Sequence, residues 1–153
     1  MKSVGMLRSD VASAVPPQYR GDPQAVDLSH LRTKKQAQQE ARKVRQVASA
    51  VRLVRDDLYA EMRRINGAAI NAGFEVSKTI SDDDFENGMR AFESGGDASI
   101  LQRIENQKAA RRRIDSAADA AIEPCNQLLA EIGKELHRLR DIVIRIKDIE
   151  LAL

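Results

Sequence analysis

Apolar residues recur at helical spacing along most of this chain. From residue 31 to residue 73 the apolar or small positions are Ala37, Ala41, Val44, Val47, Val51, Val54, Leu58, Met62, Ile65, Ala69 and Ala72, in steps of 4-3-3-4-3-4-4-3-4-3. That is a heptad seam with irregular steps, and the period of two that a sheet needs is missing. The spacing predicts one long helix over 31–73, capped by Ser29 and stopped at Gly73. A second seam begins at Leu101 and Ile104 and crosses a polar gap. It resumes as Ile114, Ala118, Ala121, Cys125, Leu128, Ile132, Leu136, Leu139, Val143, Ile146, Ile149 and Leu153. This predicts a helix over 100–153, kinked or broken near Pro124, because proline removes a hydrogen bond and clashes with the preceding turn.

The flanking segments differ. Residues 1–30 hold Pro16, Pro17 and Pro23, which suits an extended N-terminal arm, with Val4, Leu7, Val11 and Val15 spaced for a short docking turn. Residues 74–99 form an acidic insert. Phe74, Val76 and Ile80 alternate with polar residues and suit an extended stretch. Ser81 then precedes Asp82, Asp83 and Asp84 as a cap with acids in the first helical turn. Phe85, Met89 and Phe92 follow at helical steps, and Ser94-Gly95-Gly96 closes the helix. With all three phenylalanines of the chain here, the rings are expected to anchor the insert to the long helices.

The expected fold is therefore all-α. Two long antiparallel helices make a coiled-coil-like hairpin domain over 31–153, with a short acidic helical insert and an arm over 1–30. A helix of about 43 residues spans ~65 Å, and a partner of similar length covers its seam only by folding back. Ile142, Val143, Ile144, Ile146, Leu151 and Leu153 widen the apolar face at the C-terminal end beyond a two-helix seam. This predicts a homo-oligomer or a contact with other subunits. The expected interface is Val4, Leu7, Val11 and Val15 in the arm with Ile142, Ile144, Ile146, Ile149 and Leu153 in the last helix.

Composition narrows the classes. The chain has 153 residues, and 25 Lys+Arg against 23 Asp+Glu leave a net charge of +2. Three per cent aromatics and no Trp argue against an aromatic-rich sandwich or barrel. A single Cys excludes a disulfide framework, and one Cys with two His excludes a standard zinc site. No run of 18 apolar residues offers a membrane span. Ala12-Ser13-Ala14 has the look of a cleavage site, but Arg8, Ser9 and Asp10 interrupt any apolar region before it. The expected setting is cytoplasmic or within a viral particle, without a cleaved signal.

Charge is uneven. Residues 31–64 carry ten Lys/Arg and four Asp/Glu, whereas 74–99 carry two and seven. Lys34, Lys35, Arg42, Lys43, Arg45, Arg52 and Arg55 could line a phosphate-facing surface, with Arg111, Arg112 and Arg113 as a second patch. No aromatics interleave to stack bases. The competing reading is a solvated helix face, or pairing with the acidic insert of a neighbouring subunit.

Other motifs are short. Asp82, Asp84, Glu86 and Glu93 fall at positions 1, 3, 5 and 12 of a loop that resembles a calcium-binding EF-hand. The turn glycine is one place late, at Gly88 behind Asn87, and a capped acidic helix explains the same residues. Pro16-Pro17-Gln18-Tyr19 matches the PPxY pattern read by WW domains, and Arg20-Gly21-Asp22 the tripeptide read by integrins. An extended tether accounts for both.

His30 and His137 stand beside no nucleophile pattern, Cys125 sits on the seam, and no phosphate-binding glycine loop occurs. No catalysis, cofactor or small-molecule substrate is expected. The expected function is a non-enzymatic assembly, adaptor or structural subunit of a larger complex, of the kind found in phage virions and secretion machines by analogy of architecture. The alternative is a nucleic-acid-binding accessory protein using the basic first helix.

Overall fold

The computed structural model describes residues 2–153. Every regular element in it is helical, and no strand occurs among the described residues. Helix α1 is Val4–Ala14, and two short 3-10 turns follow at Pro17–Tyr19 and Pro23–Ala25. Helix α2 is Lys34–Ser77, α3 is Asp82–Glu93 and α4 is Ser99–Ala152. The chain divides into two units, the first formed by residues up to Glu61 with Pro124–Leu153, the second by Met62–Glu123.

In the first unit, α2 contributes Ala37, Ala41, Val44, Ala48, Val51, Val54 and Leu58 to the interior. Helix α4 contributes Cys125, Leu128, Ile132, Leu139, Ile142 and Ile146. These are heptad steps, but Ala48 and Ile142 are buried where the seam read from sequence used Val47 and Val143, which are half-buried. A third layer joins these two helices. Leu7, Val15, Tyr19, Val26, Leu28 and Leu31, all from the first 31 residues, are buried in the same unit.

Local chemistry sets the ends of the helices. Helix α2 begins with a reciprocal capping box. Thr33 Oγ1 accepts from Gln36 N at 3.2 Å, and Gln36 Oε1 accepts from Thr33 N at 3.1 Å and Arg32 N at 2.8 Å. Ser29, expected as that cap, instead donates to Asp27 in a local turn. Nor does Gly73 stop the helix, which runs on to Ser77. One interior glycine costs only about 1 kcal/mol, and the turn beyond it is held by α4, with Gln107 donating to Val76 O at 3.1 Å and Arg111 to Ser77 Oγ. The stretch expected to be extended from Phe74 is therefore helical up to Ser77.

In the second unit, Ser81 caps α3 by accepting from Asp84 N at 3.1 Å, with Asp82, Asp83 and Asp84 in the first turn. The helix closes at Gly95, whose φ of 77° is in the left-handed region, with Gly96 N bonded to Ala91 O at 3.2 Å. Helix α3 meets the start of α4 through Gly88. A Cβ placed there would lie 2.7 Å from the Ile100 side chain, so only glycine allows the approach. The phenylalanines do not anchor the insert: Phe74, Phe85 and Phe92 remain 61%, 46% and 41% exposed. The smallest residue of α3 makes the contact, and the rings on either side of it in sequence are left in solvent.

Helix α4 runs unbroken through Pro124, and the boundary between the two units falls at the same residue.

Candidate interaction surfaces

The N-terminal segment is held in the first unit by side chains that satisfy its carbonyls. Prolines lack N–H groups and 3-10 turns are short, so residues 15–31 leave backbone oxygens without helical partners. Arg138 of α4 donates to Tyr19 O and to Gly21 O, the latter at 3.0 Å, while pairing with Glu135. One heptad later, Arg145 donates to Pro23 O at 2.5 Å and Val26 O at 3.0 Å. Arg20 turns back on α1, donating to Val15 O at 3.0 Å and Ala12 O at 3.1 Å. The buried Tyr19 hydroxyl donates to Glu40 Oε1 at 2.5 Å, and burial first, then Glu40, push its pKa well above the usual tyrosine value. Arg8 and Glu131 add an exposed pair at 3.1 Å.

The arm is thus an integral layer, not an extended tether. Its PPxY tyrosine is 2% exposed, so that motif is not presented for recognition, while the exposed Arg20-Gly21-Asp22 has its arginine bonded to backbone carbonyls. The sequence reading missed Tyr19, Arg138 and Arg145 as structural residues. The signal was available in the seven-residue step from Arg138 to Arg145 beside an apolar seam, which aims two guanidinium forks along one helix face.

The expected interface residues divide. Leu7, Val15, Ile142 and Ile146 are buried in the first unit's own core and cannot meet a partner in this fold. Val4, Val11 and Ile149 are half-buried, while Ile144 and Leu153 are exposed, at 45% and 48%. Sequence alone assigned all nine outward because it did not show that the arm occupies this face.

Lys34, Lys35, Arg42, Lys43, Arg45 and Arg52 are exposed on α2. Lys43 lies 3.8 Å from Glu40, and Arg55 is half-buried. In the second unit Arg111, Arg112 and Arg113 are exposed, and Arg111 donates to Ser77 Oγ. Arg111 lines a groove of about 720 Å³ whose walls are Asn66, Ala69, Ile70 and Gly73 from α2 with Ile114, Asp115, Ala118 and Asp119 from α4.

Asp82, Asp84, Glu86 and Glu93 belong to a continuous helix, where residues two apart point to different sides, and no cluster of three metal-ligating side chains occurs among the described residues. Asp84 is instead committed to the cap, its pKa held below the usual carboxylate value first by the hydrogen bond from Ser81 and further by Arg103.

His30 lies 3.7 Å from Glu40, and His137 3.8 Å from Asp141. Burial, then the charge of Glu61, raise the pKa of the Cys125 thiol. A thiol pKa raised by folding stabilises the fold below the unfolded value of about 8.5 and loses that contribution as pH rises through the folded value. Stability of the natural chain should therefore decline above about pH 8.5 more steeply than that of Cys125→Ala, compared by denaturant midpoints. Identical slopes would exclude this linkage.

No helix is long and apolar enough to cross a membrane among the described residues. Compared with known proteins, the chain matches no family model, and no curated protein or solved structure is significantly similar to it.

Proposed function

We propose that this chain is a non-enzymatic assembly subunit, an adaptor or structural part of a larger complex that works through helix–helix packing. One observation carries the reading: burial is confined almost wholly to one unit. Among the described residues every buried hydrophobic side chain lies in the first unit except Ile100. The second unit instead exposes Ile70, Phe74, Phe85, Phe92 and Leu101. Helices with so little interior of their own gain most of their stability from packing against something else. An antiparallel hairpin of α2 and α4 fits the bonds inside each unit. Gln38 donates to Glu150 at 2.8 Å in the first, and Gln107 to Val76 O at 3.1 Å in the second. The exposed Ile144, Leu151 and Leu153 extend the surface available to other subunits.

The second reading, a nucleic-acid accessory protein, is favoured by the exposure of Lys34, Lys35, Arg42, Arg45 and Arg52 together on the first half of α2. Salt separates the two, because phosphate contacts weaken steeply with ionic strength and apolar helix packing does not. Absolute mass by light scattering at low and high salt, with the 260/280 nm absorbance ratio, is the test. The assembly reading predicts a multimer that survives high salt with a protein-like spectrum. A monomer that releases 260-nm-absorbing material at high salt would replace it with the nucleic-acid reading.

A further inference from the structure

We infer that the groove of the second unit is closed by the same groove of a second copy of this chain, laid antiparallel to form a four-helix contact. The inference rests on the assembly reading and names its surface. Three observations converge on it. The groove is small-walled, where Ala69, Gly73 and Ala118 let another helix approach closely and Ile70, 58% exposed, offers a side chain to insert, with Asp115 the one charged residue between its Arg111 and Asp119 ends.

The charge along α4 fixes which partner fits. From Lys108 to Arg113 there are four basic residues and no acid, and from Asp115 to Glu123 three acids and no base. Such a segment opposes its own charge when parallel to a copy of itself and complements it when antiparallel. Reversal about the centre of the groove sets the Arg111 end of one copy over the Asp119 end of the other, twice, as a two-fold interface requires. Arg111 uses one of its five N–H donors on Ser77 Oγ and keeps others for a carboxylate across the interface. The small and apolar walls supply affinity, and the two Arg111–Asp119 pairings at the ends set direction and register, outweighing the single meeting of the two Asp115 carboxylates at the centre.

Full-length chains carrying Arg111→Glu or Asp119→Arg test this by light scattering over a concentration series, with circular dichroism confirming that each keeps its helices. Among the charged residues that line the groove, Arg111→Glu leaves only acids, and Asp119→Arg leaves Asp115 between two bases. Each variant alone should self-associate about tenfold or more weakly than the natural chain, and an equimolar mixture should recover the dimer mass as a mixed pair. Asp119→Arg keeps the test decisive if loss of the Ser77 bond unfolds Arg111→Glu. A natural chain that is multimeric and unaffected by either change overturns this surface and leaves the assembly reading standing. A natural chain that stays monomeric throughout the series overturns both.

Discussion

Deleting residues 2–31 should abolish cooperative folding of the first unit. The segment provides Leu7, Val15, Tyr19, Val26, Leu28 and Leu31, each at most 6% exposed. At ~1.5–3 kcal/mol for each large buried side chain, their loss is on the order of 10 kcal/mol, an upper estimate that still matches the whole stability of a typical domain. The deletion would also uncover the α2 and α4 surfaces they pack on, take Tyr19 from Glu40, and leave Arg138 and Arg145 without the carbonyls they serve. Thermal melts by circular dichroism should lose their sigmoidal transition or show it far below that of the full chain. Aggregation should follow, since the uncovered stripe is apolar. A truncated chain melting cooperatively at the temperature of the full chain would return these residues to the role of a tether.

Arg138→Ala should cost the first unit about 2–4 kcal/mol, read as a shift in denaturant midpoint at unchanged slope. The guanidinium is a single group that satisfies Tyr19 O and Gly21 O while pairing with the part-buried Glu135. Alanine leaves two carbonyls and a carboxyl to find water in a partly closed site. Arg138→Lys should recover only part of the loss, because a point ammonium cannot serve two carbonyls and a carboxylate with a planar fork. A shift below about 0.5 kcal/mol for the alanine variant would place these bonds with ordinary surface contacts.

These two expectations mark where the sequence was legible and where it was not. Helical class followed from periodicity, since steps of three and four persist through α2 and α4. The Ser81 cap and the glycine closure of α3 were equally readable, because capping is local chemistry. Tertiary choices were not. Three prolines suggested an extended arm with one short docking turn, but proline restricts only the backbone, and Arg138 and Arg145 supply what its turns lack. That layer took Leu7, Val15, Ile142 and Ile146 inside. The phenylalanines of the insert looked like anchors because large apolar rings usually are. Gly88, with no side chain to display in a periodicity analysis, made the contact instead. The groove residues are partly legible in the sequence: Arg111 stands out in a run of three arginines, whereas Asp115 and Asp119 join it only through the fold.

The second unit, with Ile100 its one buried hydrophobic residue among those described, is proposed to complete its small interior against another chain. Amide hydrogen exchange on the full chain at low and high protein concentration tests it most directly. The account predicts slow exchange through residues 37–58 and 125–146 at both concentrations. Residues 62–77 and 99–123 should exchange fast when dilute and become protected as concentration rises. Equal protection of both units in dilute solution, unchanged on concentration, would contradict it.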